Sequence, residues 1–137
     1  MEISKLHISQ IQIDNAIGHF FNDNNYVCAI TLAGAAEEIL GNILRETGYE
    51  NILSEIHNEA EDGKFSKFSA KANEIRNELK HSHNNPDLQY TITVSQGEAG
   101  RMIMRAINNY CRASSERHSS GQALFKKQFT MPPIPRL

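Results

Sequence analysis

The chain has no tryptophan, two cysteines and four prolines in 137 residues. Two isolated cysteines, Cys28 and Cys111, exclude a disulfide framework and a cysteine-built zinc site. Both read as small apolar residues buried within helices. No unbroken apolar run approaches the roughly 20 residues of a membrane-spanning helix. The longest lies around Val27–Ala36, so no membrane association is expected. The N-terminus, Met1-Glu2-Ile3-Ser4-Lys5, has neither the basic nor the apolar region of a secretory signal, and a cytoplasmic location is the expectation. A phosphate-cradling Gly-rich loop, a nucleophile elbow and a paired-cysteine motif are all missing, which removes the familiar nucleotide-binding and hydrolase signatures.

What is present is ordinary globular composition, 39% hydrophobic and 22% charged, in a length suited to one domain. Net charge is −2 but unevenly spread. From Glu37 to Asp62 there are eight carboxylates against Arg45, whereas from Arg101 to Leu137 there are seven Lys or Arg against Glu116. The C-terminal third is therefore a basic surface or tail, of the kind that favours a polyanionic partner.

Apolar periodicity gives helices. Ile8, Ile11, Ile13, Ala16, Ile17, Phe20 and Phe21 make one stripe over Leu6 to Asn22, which ends at the turn-forming Asn22-Asp23-Asn24-Asn25. Tyr26 to about Glu46 is apolar on more than one face and should be the central helix. Its Ala33-Gly34-Ala35-Ala36 run implies close approach by a neighbouring helix, since Gly costs about 1 kcal/mol relative to Ala in a helix. Thr47-Gly48 supplies the stop.

A shorter helix is expected over Tyr49 to Ala60, then one from Lys64 to about Lys80 burying Phe65, Phe68, Ala72, Ile75 and Leu79, halted before Pro86. Leu88, Tyr90, Ile92 and Val94 alternate without a partner strand and read as an extended loop. The last long helix starts near Ser95, which forms a capping-box pattern with Glu98, and reaches about Arg112. The expected fold is all-α, an up-and-down bundle of about five helices. The bundle domain is placed at residues 1–114, followed by a basic, Pro-containing tail at 115–137 that is mobile or docked on a partner, with one helical turn near Gln122–Lys127.

The chemically pointed segment closes the fourth helix: Arg76-Asn77-Glu78-Leu79-Lys80-His81. On a continuous helix Arg76 and His81 diverge by about 140°, whereas Arg76 and His83 nearly eclipse. A helix that ends at Lys80 lets His81 swing back over Arg76. A fixed guanidinium would then lie beside an imidazole that titrates near neutrality, a pair able to bind phosphate and move a proton. Five Lys or Arg between Lys64 and His83 face only Glu74 and Glu78. The plainer explanation is that basic residues in a last helical turn complement the helix dipole.

Arg, Asn, three further residues and His at the end of a helix in a small all-α bundle resemble the signature of HEPN domains. The Leu32–Leu40 helix and the Arg105-Ala106-Ile107-Asn108-Asn109-Tyr110 segment also look like bacterial members of that group. The resemblance spans roughly Leu6 to Arg112. It implies a homodimer with two motifs facing across a cleft; active members cut RNA without a metal, using the ribose 2′-hydroxyl as attacking group, and many others are inactive binding modules or halves of toxin–antitoxin pairs. Arg76 would hold the phosphate, His81 would act as general acid or base and Asn77 would orient the site. From the basic surroundings, Lys80, His83 and Lys71 are the candidate substrate-binding residues. His83 stands where several members carry Tyr, so no role tied to that Tyr carries over.

The expected partners are a second copy and RNA or a nucleotide. No cofactor and no metal are expected, although His81-Ser82-His83 could ligate one if further ligands converged. The alternative is a non-catalytic helical interaction or antitoxin-like protein with a partner encoded nearby. Glu37 and Glu38 read as solvated, or as offering one inward carboxylate that would orient Arg76. His7, His19, His57 and His118 read as isolated surface residues.

Overall fold

The computed structural model describes residues 1–47, 73–81, 86–114 and 120–129. They form α1 (Lys5–Asn22), α2 (Tyr26–Glu46), α3 (residues 73–80), α4 (Gln96–Ala113) and α5 (Ser120–Gln128), with no strand among the described residues. The expected helix over Tyr49 to Ala60, and the stretch of the next one before Asn73, lie outside them.

Local chemistry explains the boundaries. The Ser4 hydroxyl accepts from the His7 amide at 3.0 Å and caps α1. The Asn-rich turn divides its labour: Asn24 takes a positive φ of 52°, which Asn tolerates, and the Asn25 side chain accepts from the Cys28 amide to start α2. The Thr47 hydroxyl donates to the Ile43 carbonyl at 2.9 Å where α2 ends. Ser95 and Glu98 form the expected capping box at the start of α4.

Packing puts α2 in the middle, against α1 and α4. Ile13, Ala16, Ile17 and Phe20 from α1 meet Ala29, Ile30, Ala33, Ala36 and Leu40 from α2, with Met102, Ile103, Ala106, Ile107 and Tyr110 from α4. Full burial of each large aliphatic side chain contributes about 1.5–3 kcal/mol. As one helix, α2 does reach the length and apolarity of a membrane span, with a window of mean hydropathy 1.5. Half of that window is buried inside the bundle, against α1 and α4.

Two expectations need correction. Cys28 and Cys111 are half-buried rather than sealed, and burial pushes the Cys111 thiol up against the opposing field of Lys126. His19 is not isolated: its Nδ1 lies 3.1 Å from Oδ2 of Asp23 at the end of α1.

Beyond residue 114 the polar composition conceals a second anchoring point. The turn expected near Gln122–Lys127 is the nine-residue α5, and Phe125 is completely buried in the same core as α1, α2 and α4. Phe20 meets Phe125 edge-on at 5.2 Å and Phe129 at 5.7 Å between ring centres. The Phe129 ring covers Gly100 so closely that a Cβ there would lie 2.0 Å from its Cζ. Composition changes at residue 114, but the core does not end there.

Candidate functional site

The centre of the site is Glu37, whose side chain is only 6% exposed. It sits on the buried stripe of α2, three residues after Gly34 and three before Leu40, and so cannot face water. A buried carboxylate must be paired to remain charged. Its Oε2 accepts from Nη1 of Arg76 at 2.8 Å and its Oε1 from Nη2 of Arg105 at 3.1 Å. Nη2 of Arg105 also donates to Oδ1 of Asn73 at 3.0 Å, and Nδ2 of Asn109 donates to the main-chain oxygen of Glu37 at 3.2 Å. One carboxylate thus ties α3 and α4 to α2.

Gly34 explains how Arg76 reaches it. A Cβ at Gly34 would stand 2.6 Å from both Cγ and Cδ of Arg76, so the aliphatic stem lies flat on the helix in the space a side chain would fill. The small-residue run therefore admits a side chain from α3, where helix-to-helix contact was the expectation.

Next to it, Glu38 points outward. Its Oε2 accepts from Nζ of Lys80 at 2.7 Å, with the two side chains 50% and 24% exposed. The hydrogen bond from Lys80 holds the Glu38 carboxyl below its ordinary range. Desolvation opposes that shift, and the fields of Lys80, Arg76 and His81 reinforce it. Of the two glutamates, Glu37 is the inward carboxylate that orients Arg76, as one of the two readings had it, and Glu38 is an exposed ion-pair partner.

His81 is exposed at the end of α3, and its amide donates to the Asn77 carbonyl at 2.8 Å. The helix thus ends at Lys80, as the sequence implied, with the His81 amide making its last backbone bond. The Glu38 carboxylate feels the fields of both Arg76 and His81. Asn77 is half-buried between them on α3. Lys71 and His83 lie outside the described residues. Among the described residues no group of three or more His, Cys, Asp or Glu is placed to hold a metal ion.

Sequence reasoning missed Arg105 and Asn109 as partners of Glu37, and Asn73 as the partner of Arg105. A signal existed for two of them. Arg105 and Asn109 are four apart and fall on the same buried stripe as Met102 and Ala106, where a polar residue requires a partner. The basic C-terminal third accordingly contributes one of its cations to the interior, not to the surface.

No protein-family model, curated protein or solved structure matches the chain.

Proposed function

We propose that the chain is a HEPN-like up-and-down bundle that works as a homodimer, binds RNA at the end of α3 and cuts it without a metal. The observation supporting this reading is the clamped guanidinium of Arg76. Glu37 fixes it from behind through Nη1, and Nε is sealed from solvent, so the donors left for a ligand are on the Nη atoms. A pre-positioned guanidinium with donors to spare suits a phosphate, because its fork matches two phosphate oxygens.

In the proposed reaction the 2′-hydroxyl attacks the neighbouring phosphorus and the bond to the 5′-oxygen breaks, giving a 2′,3′-cyclic phosphate and a 5′-hydroxyl. Arg76 stabilises the charge gathering on the phosphoryl oxygens, and His81 moves a proton to or from the reacting oxygens. A second copy facing the first would bring two such motifs to one cleft, which is the arrangement the resemblance to HEPN domains implies.

Purified protein should cut single-stranded RNA in EDTA and leave cyclic phosphate ends, and His81→Ala should abolish the cutting. Undiminished cleavage by that variant rejects the mechanism. The alternative reading, a non-catalytic interaction or antitoxin-like partner, draws on Leu88 and Tyr90, which are 96% and 53% exposed on the segment before α4. No cleavage of any RNA, together with a stable hetero-complex lost in a Leu88→Ser, Tyr90→Ser variant, would favour it.

A further inference from the structure

Neighbouring glutamates on α2 receive cations from α3, and the two ion pairs have opposite character. Glu37 and Arg76 are 6% and 13% exposed, and Glu37 is held by a second guanidinium as well. Removing either partner would strand a buried charge, so this pair is permanent. Glu38 is half exposed and, among the described residues, is bonded by Lys80, an exposed-type pair of small net stability. A carboxylate that leaves this position is immediately rehydrated.

We infer that the Glu38 carboxylate occupies the seat of a ligand phosphate, and that a phosphate group of RNA displaces it and takes over the Lys80 hydrogen bond. This rests on the RNA-binding reading above and adds to it a built-in competitor. The seat is defined by the point at which Lys80 donates at 2.7 Å. The fields of Arg76 and His81 reach the same carboxylate, so an anion placed there is attracted by three groups of α3 at once. A phosphodiester offers Lys80 an equivalent anionic oxygen and offers Arg76 a second one, which Glu38, committed to Lys80 through one oxygen, does not match. Glu38 thereby sets a threshold: isolated weak anions fail to displace it, whereas a polyanion engaging both protomers succeeds.

The test compares the full-length protein with Glu38→Gln and Lys80→Ala, using a fluorescent oligouridylate in anisotropy titrations. Inorganic pyrophosphate is titrated in parallel while the Lys80 and His81 side-chain signals are followed by NMR. Glu38→Gln should bind the RNA about three- to tenfold more tightly, because it removes a competing charge and a like-charge repulsion. Lys80→Ala should bind it more weakly than the parent protein, and pyrophosphate should move both signals at lower concentration in Glu38→Gln. Equal or weaker RNA binding by Glu38→Gln overturns the inference while leaving RNA binding itself intact. Pyrophosphate that moves neither signal in either protein also overturns it, whatever the RNA result. If pyrophosphate moves them and RNA does not bind, the seat stands and the RNA reading falls. A nucleoside diphosphate that competes as well as the oligomer assigns the seat to a free nucleotide.

Discussion

Two short helices are each laid over a glycine of a longer one, by opposite chemistry. Arg76 brings α3 down onto Gly34 of α2 and ends on a carboxylate; Phe129, just past α5, covers Gly100 of α4 and stacks among rings. The aromatic contact is stabilised by area removed from water and tolerates small shifts. The charged contact is stabilised only while every partner is present, and its buried carboxylate gives it one allowed geometry. A site that must aim a cation is better built the second way, and the candidate chemistry accordingly sits on α3 and not on α5.

The largest effects should come from removing the centre of either attachment. Glu37→Ala strands two guanidinium groups and should cost about 3–5 kcal/mol in urea-induced unfolding; a loss below about 1 kcal/mol would mean the network supports nothing. Phe125→Ala should cost a comparable amount, about 3–5 kcal/mol, by leaving a cavity in the core. The two should differ in RNA cleavage under conditions where both variants remain folded, with Glu37→Ala the more impaired.

Filling the glycines sharpens the contrast. Gly34→Ala and Gly100→Ala each force a side chain to move and should cost about 1–3 kcal/mol, partly offset by the better helix propensity of Ala. Only Gly34→Ala, which lifts the Arg76 stem, should also lower RNA affinity. Equal affinity in both variants would detach Arg76 from binding.

The smallest effect belongs to Lys80 and Glu38. Lys80→Ala should change stability by about 0–1 kcal/mol. Because the folded Glu38 carboxyl titrates below its ordinary value of 4.5, its contribution is present above that value and is lost as the pH falls through the lower, folded one. NMR titration of the Glu38 carboxyl in the parent protein and in Lys80→Ala should show the depression shrink in the variant.

Much of this was legible where the cause is local. Ser95 with Glu98, the Asn22–Asn25 turn and the bounds of α2 depend on residues within a few positions of one another, and the structure has them as the sequence implied. Partner choice was not legible. Glu37 meets Arg76 and Arg105 across separations of 39 and 68 residues, and nothing in the spacing says which cation turns inward. An inward carboxylate for Arg76 was among the readings, but nothing told Glu37 from Glu38 or brought Arg105 to it. At the C-terminus, a polar average over residues 115–137 hid Phe125 and Phe129, whose four-residue spacing was the available clue to a packed face.

The grip of α4 on Glu37 is double. Arg105 takes the carboxylate and Asn109, one helical turn further on, takes the peptide oxygen of the same residue. Greasy contacts alone would let two helices slide past each other by a turn and repack, but a residue pinned at both its head and its backbone forbids that slip. Arg76 on α3, bonded to the same residue, is therefore referenced to a scaffold whose phasing is locked at a single amino acid.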